Sequence, residues 1–355
     1  MRILFFGIYK PGYSRNRVLI KGLKQNGIEV LECRSSSKGL LSFFDLFFKH
    51  LKFLGKYDFM LVGFPGQEVM FLARLLTRKP IIFDTFTSHY GGYILDRQYF
   101  SKKSLRAKYY RFLDRWSCKL ADICLLDTQA HIDFFVSEFG LPREKFRRIF
   151  VGTDSDVFYP REIKKNSDKF LIHFHGYYIP LQGVKYIIET AKILENENIV
   201  FNFIGRGQTF ENDRKLAEKL KLKNVNFIDP VPYDKLPDYI AQADVCLGIF
   251  GDSPKIDLVI PNKVYQALAM GKPVITADTP AIRELLADGE NVIFCKTADA
   301  DDLADKIIKL KDDSDLRLKI ARNGRSVFIG RATPGILGRQ LLDYIYEQFC
   351  IGKLR

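Results

Sequence analysis

The sequence predicts an α/β protein made of two doubly wound parallel sheets in series. Short apolar runs alternate with amphipathic stretches, and this rhythm stops at a polar, aperiodic segment before starting again at Phe170. The 355 residues also exceed what one hydrophobic core usually organises. Hydrophobic residues at 47% and charged residues at 27% are ordinary for a globular α/β chain and exclude a disordered one.

In the first half, predicted strands at 3–6, 30–31 and 59–62 are followed by predicted helices at 16–25, 39–54 and 67–76. Buried-type runs follow at 81–83 and 123–126. The second half repeats the pattern from Phe170 to about residue 310, with strands at 171–174, 200–204, 225–227, 245–247, 273–276 and 292–294. The segment Pro160–Asp168 reads as the linker. This sets domains at 1–162 and 168–330, with an apolar, aromatic C-terminal segment at 331–355.

Charge divides the halves. Residues 1–160 hold 26 Lys/Arg against 15 Asp/Glu and 20 of the 30 phenylalanines, whereas residues 161–355 hold 29 against 27. A basic, Phe-rich half suits an anionic surface or a phosphorylated acceptor. No recognised nucleic-acid motif accompanies it, so no nucleic-acid partner is expected. The N-terminus enters a strand-like run with no cleavable signal pattern, and no apolar stretch approaches the roughly 20 residues of a membrane span. The six cysteines, at 33, 118, 124, 246, 295 and 350, lack metal-ligand spacing and read as reduced thiols of a cytoplasmic protein.

The most informative stretch is Ile260–Thr276. Pro261 can occupy a first helical turn, Val264, Ala267 and Leu268 give an apolar face, Gly271 ends the helix, and Val274-Ile275 starts a buried strand. A helix N-terminus carrying Asn262 and Lys263 favours an anion such as phosphate.

The stretch resembles the donor-sugar segment of GT-B glycosyltransferases of the retaining type often called family four. The resemblance implies two Rossmann-like domains facing a cleft, a nucleotide diphosphate sugar as donor substrate, and no metal or other cofactor. It also implies that the C-terminal helix returns to the first domain. Gln266 stands where the family carries a ribose-binding Glu. Residues His175–Gly183 are similar to the family's diphosphate-clamping loop, with Gly176 and Gly183 kept but Tyr177 and Gln182 in place of its Arg and Lys. The Gly205-Arg206-Gly207 turn leaves a strand at the carboxyl end where open α/β sheets bind ligands, so Arg206 can face the phosphates in place of the lost cations; by the same resemblance Val231 lies by the base and Thr279 by the sugar. As a surface-loop residue, Arg206 can equally be solvated. Asp252 or Asp257 is a candidate replacement for the acid missing near Gln266.

In the first half, the loop holding Gly12, Tyr13, Arg15 and Arg17 lies where relatives have an acceptor loop. Its arginines suit an acceptor phosphate, and a plain basic loop is the other reading. Asp84 and His89 neighbour the family's cleft His-Asp position and are the catalytic candidates; a structural role is the alternative for His89. Asp154-Ser-Asp156 superficially mimics a metal-binding DxD and reads better as a turn closed by side-chain hydrogen bonds. The run Leu40–Leu54 has a very wide aromatic face, open to two readings: burial between sheet and helix, or contact with an anionic membrane. The expected enzyme moves a sugar to a lipid-linked or glycan acceptor, cytoplasmic and peripheral to the membrane. The rival reading is a catalytically silent sugar-nucleotide-binding or scaffold protein on the same fold.

Overall fold

The computed structural model describes residues 1–163, 165 and 168–349. Lys164, Asn166 and Ser167 of the predicted linker, and Cys350 with 351–355 of the C-terminal segment, lie outside the described residues. The chain divides into two units, Met1–Asp154 together with the segment from Ala332 onward, and Ser155–Arg331. The boundary thus falls earlier than residue 162. Phe158 and Arg161 already belong to the second unit, where Phe158 packs edge-on against Tyr233 at 5.1 Å and Arg161 donates to Asp238 Oδ1 at 2.7 Å.

The first unit contains strands β1 (Arg2–Gly7), β2 (Glu29–Arg34), β3 (Phe59–Val62), β4 (Ile81–Phe86), β5 (Ile123–Leu126) and β6 (Phe146–Arg148), in the order β2-β1-β3-β4-β5-β6. All pair parallel. Helices α1 (Ser14–Gln25), α2 (Leu41–Leu51), α3 (Val69–Leu76), α4 (Leu105–Leu120) and α5 (Gln129–Phe139) make the connections. Strands β3 and β5 are buried at every position, as expected of parallel strands covered on both faces. Glu29, Glu32 and Arg34 keep the edge strand β2 polar.

The second unit has β7 (Phe170–His175), β8 (Ile199–Ile204), β9 (Val225–Ile228), β10 (Val245–Leu247), β11 (Val274–Ala277) and β12 (Ile293–Cys295), parallel in the order β12-β11-β10-β7-β8-β9. Its helices are α6 (Val184–Ile193), α7 (Phe210–Lys219), α8 (Leu236–Gln242), α9 (Asn262–Ala269), α10 (Pro280–Arg283), α11 (Ala300–Asp312) and α12 (Ser314–Arg331). Helix α9 begins one residue later than the sequence suggests, with extended Pro261 as its N-cap. Strand order reverses between β1 and β3 in the first unit and between β7 and β10 in the second. The carboxyl ends of those strand pairs are where open α/β sheets leave a crevice.

Helix α2 overturns the burial reading of Leu40–Leu54. Its buried residues are Ser42, Leu46 and His50, while most of its Leu and Phe side chains face outward.

The last helix, α13 (Pro334–Phe349), belongs to the first unit and lies along α1. Contact is made backbone to backbone. A Cβ on Gly22 would come within 2.1 Å of the Pro334 carbonyl oxygen, and one on Gly338 within 2.2 Å of the Gly22 carbonyl carbon. Asn26 Nδ2 donates to the carbonyls of both Gly22 and Gly335 at 2.8 Å. We expect Gly22→Ala to lower unfolding free energy by about 2 kcal/mol or more, because neither backbone can yield as a flexible side chain does. Urea denaturation of the variant measures it.

Candidate functional site

The second unit's crevice is built where β7 and β10 part. After His175 the chain passes Gly176, Tyr177 and Tyr178, a short 3₁₀ turn over Pro180–Gln182, and Gly183, which enters α6. Two close approaches fix this loop. Gly205 has φ +135°, and a Cβ there would lie 2.0 Å from the Gly176 carbonyl oxygen. Gly183 has φ +64°, with backbone of Phe250 and Gly251 within 2.4 Å of its missing Cβ. The Gly205-Arg206-Gly207 turn is tied back through Tyr178, whose N–H donates to the Arg206 carbonyl at 3.0 Å.

Lys263 stands in the first turn of α9 and reaches into that crevice. The residue is 5% exposed, and its Nζ donates to Gln182 Oε1 and, at 3.2 Å, to the carbonyl of Gly248 at the end of β10. It also lies 3.7 Å from the centre of the Phe174 ring. A Cβ on Gly176 would meet Nζ at 3.2 Å, so this glycine keeps the backbone open beside the ammonium. Among the described residues no carboxylate pairs with Lys263, and burial pushes its pKa well below that of an ordinary lysine.

Beside it runs a chain of neutral polar groups. His173 Nε2 lies 2.9 Å from His175 Nδ1, and His175 Nε2 lies 2.7 Å from Gln266 Oε1. With the Gln266 oxygen accepting, His175 carries its proton on Nε2 and accepts from His173 on Nδ1. Burial, reinforced by the charge of Lys263, lowers the His175 pKa to about 3, and His173 shifts the same way.

Three expected donor-site residues are engaged otherwise. Arg206 is exposed, ion-paired with Asp229 and laid over the Phe210 ring at 3.8 Å, the solvated reading of this residue. Thr279 is the N-cap of α10, accepting from the Ile282 N–H at 3.3 Å. Gln182 does not replace a cation but holds Lys263. Tyr177 is exposed, Asn262 opens α9, and Val231 sits half-buried in the loop after β9. Asp252 meets Tyr186 and Lys185, and Asp257 is exposed on a 3₁₀ turn; the partner found for Gln266 is His175. The residues missed in the sequence are His173 and His175. Their spacing of two on one strand, both on one face, was the available signal.

In the first unit, two predicted site residues cancel each other. Arg15 is 0% exposed; it grips Asp84 at 2.8–3.1 Å through Nε and Nη2, and Nη1 donates to the carbonyls of Ile149 and Phe150 at 2.7 and 2.8 Å. Arg15 is therefore not an acceptor-phosphate ligand, and Asp84 is not a base facing substrate. Burial still raises the Asp84 pKa, with Arg15 opposing it. His89 is held by its surroundings: its N–H donates to Asp114 at 3.0 Å, its ring packs near Tyr93 and Tyr110, and Nδ1 lies 3.7 Å from Glu68. Buried Asp114, which also accepts from Ser88 and Tyr90, was not legible as the organiser of that turn.

Gly12 and Tyr13 are on the surface, with Tyr13 edge-on to Phe86 at 6.1 Å. Half-buried Arg17 lines a hollow of about 470 Å³ with Lys21 and Lys24. Asp154 faces Lys21 and, at 3.8 Å, Arg17, so its carboxylate is committed within the protein.

Residues 157–327 match the family model of glycosyl transferases group 1. The match falls within the second unit. Over 186 residues the chain is 23% identical to an uncharacterized glycosyltransferase of Methanocaldococcus jannaschii, covering 50% of this chain and 47% of that protein. It is 24% identical over 233 residues to the lipopolysaccharide core biosynthesis glycosyltransferase LpsE of Rhizobium meliloti, covering 65% and 64%. The chain thus spans about half to two thirds of the length of these two curated relatives. Anabaena HepE, crystallised with UDP-glucose, superposes with a TM-score of 0.71 at 18% identity, covering 98% of this chain and all of that one. The fold is GT-B, and the residues matched by the family model include the β7/β10 crevice.

Two measurements check this geometry. The unfolded chain takes up protons on His175 between its ordinary pKa of 6.5 and about 3, where the folded state does not. Stability is therefore full above pH 6.5 and falls as pH drops through that window. His175→Asn should flatten the decline in urea denaturation series. Arg15→Ala strands a buried carboxylate and should cost about 3–5 kcal/mol by the same method.

Proposed function

We propose that the chain is a glycosyltransferase that moves a sugar from a nucleoside diphosphate sugar to a lipid-linked or glycan acceptor, with retention, on the cytoplasmic face of an anionic membrane. One observation carries the reading. A buried lysine that pairs with no carboxylate among the described residues stands in the first turn of a helix, beside Gly176 at the switch point of a parallel sheet. That combination suits a diphosphate. HepE's complex with UDP-glucose supports a uridine nucleotide, and the name of LpsE supports an acceptor of the lipopolysaccharide kind.

In this reaction the bond between the sugar C1 and the diphosphate oxygen breaks, and its electron pair leaves with the diphosphate. The acceptor hydroxyl bonds C1 on the same face and passes its proton to the departing phosphate oxygen. Lys263 and the α9 N-terminus, not a metal, offset the charge that builds on the leaving group. Gln266 meets the ribose, donating through its amide N–H groups because His175 occupies its oxygen. Val231 lies toward the base, and Asn262 and Tyr177 border the phosphates.

Thermal-shift titration with UDP, GDP, ADP and CDP sugars identifies the donor, and the anomeric configuration of the product by NMR tests retention. Lys263→Ala should weaken binding of the stabilising nucleotide at least about tenfold by calorimetry while the fold is kept. Unchanged affinity would remove Lys263 from the phosphate site. Binding without turnover, across donors and lipid acceptors, would establish the silent-binder reading instead.

A further inference from the structure

Helix α2 is amphipathic in reverse. At about 100° per residue, Leu41, Phe44, Phe47, Phe48 and Leu51 fall within a sector of roughly 120°, and it faces out. Leu40 is 79%, Phe44 61% and Phe48 62% exposed. Two polar side chains, Ser42 and His50, turn inward, while Asp45 and Lys49 stay at the margin of the helix. Ser42 donates to the Gly39 carbonyl at 2.5 Å, and His50 Nε2 lies 2.8 Å from the Tyr57 hydroxyl. Asp45 accepts from Ser35 at 2.6 Å and from Lys49 at 2.8 Å. A solvated helix has no use for this arrangement.

The neighbouring helices extend the same chemistry. Helix α3 packs against α2 and exposes Leu75 and Phe71, and Phe71 stacks on Phe112 of α4 at 6.4 Å. Phe112 in turn lies 5.9 Å from Trp116, and Lys119 sits over the Trp116 ring at 4.7 Å. Basic residues surround these rings. From Lys38 to Lys119 the chain has fifteen Lys/Arg and six Asp/Glu. Of the six acids, Asp84, Asp96 and Asp114 are buried, Asp45 is paired with Lys49, Asp58 accepts from the Arg2 N–H, and Glu68 is exposed beside His89. Asp122 and Glu138 from later segments pair with Arg74 and Arg111, and the remaining exposed charge is mainly positive.

We infer that the α2 face, with the exposed aromatic and basic side chains of α3 and α4, docks on an anionic phospholipid surface. Leu and Phe enter the acyl boundary while lysines and arginines meet the headgroups. Charge complementarity selects this occupant. A second copy of the same face would bring positive charge against positive charge. Among the described residues no helix is long and apolar enough to cross a membrane, and α2, at about 16 Å, is suited to lie in the interface plane. The inference deepens the proposed lipid-linked acceptor by naming how the protein reaches it. Vesicle binding is measured without any donor, so its failure and failure of the transferase reading are separable.

Flotation of the full chain with phosphatidylcholine vesicles, with and without 30% phosphatidylglycerol (about the anionic content that raises a useful surface potential), tests it. Binding is expected only to the anionic vesicles and should weaken with salt. The single tryptophan, Trp116, gives a blue shift on binding. Phe44→Ser with Phe48→Ser should reduce vesicle partition at least about tenfold, while thermal midpoint and nucleotide binding stay at wild-type values. Lys52→Glu with Lys56→Glu should reduce the preference for anionic lipid without touching the apolar face. Vesicle binding unchanged in the Phe pair overturns the inference. So does absence of vesicle binding with self-association in ultracentrifugation that the Phe pair abolishes.

Discussion

A buried lysine that pairs with no carboxylate among the described residues governs the second unit. Lys263 is held by an amide oxygen, a backbone carbonyl and a ring face, all of them neutral. Such contacts orient a cation but do not repay its dehydration, so burial depresses its pKa. The surrounding groups adapt to it. His173 and His175 stay neutral beside it, Gln182 turns its oxygen toward it, and Gly176 carries no side chain to cover it. An acid at position 266 would compete for the same local balance. Glutamine there bonds His175 and adds no charge of its own.

The first unit resolves the same electrostatic problem internally. Arg15 and Asp84, 69 residues apart, meet near the carboxyl ends of β1 and β4 and leave no net charge there. Every donor group of Arg15 is matched by a carboxylate or carbonyl. The two units therefore share a topology but not a way of using their strand ends. One ends in a closed pair, the other in an open cation.

Much of the architecture was readable because it is local. The alternation of apolar runs, the polar break before Phe170 and the helix-to-strand sentence of Ile260–Thr276 depend on neighbours in sequence. The α9 start followed from that segment to within one residue. What was not legible depends on pairing across the fold. Nothing in the sequence ties Arg15 to Asp84 or Gln266 to His175, so Arg15 read as a ligand and His175 went unnoticed. Periodicity located the apolar stripe of α2, but it contains no information on which way a stripe faces. Only the burial of Ser42, Leu46 and His50 settles that.

The return of α13 to α1 makes the first unit discontinuous in the chain. Residues 1–154 emerge during synthesis without the helix against which Gly22 is shaped, and all of 155–331 must follow before that helix exists. The second unit can complete its sheet while the first still has an exposed groove along α1. Vectorial synthesis thus places the finishing step of the first unit last, and it leaves α1 uncovered for the time needed to translate an entire domain.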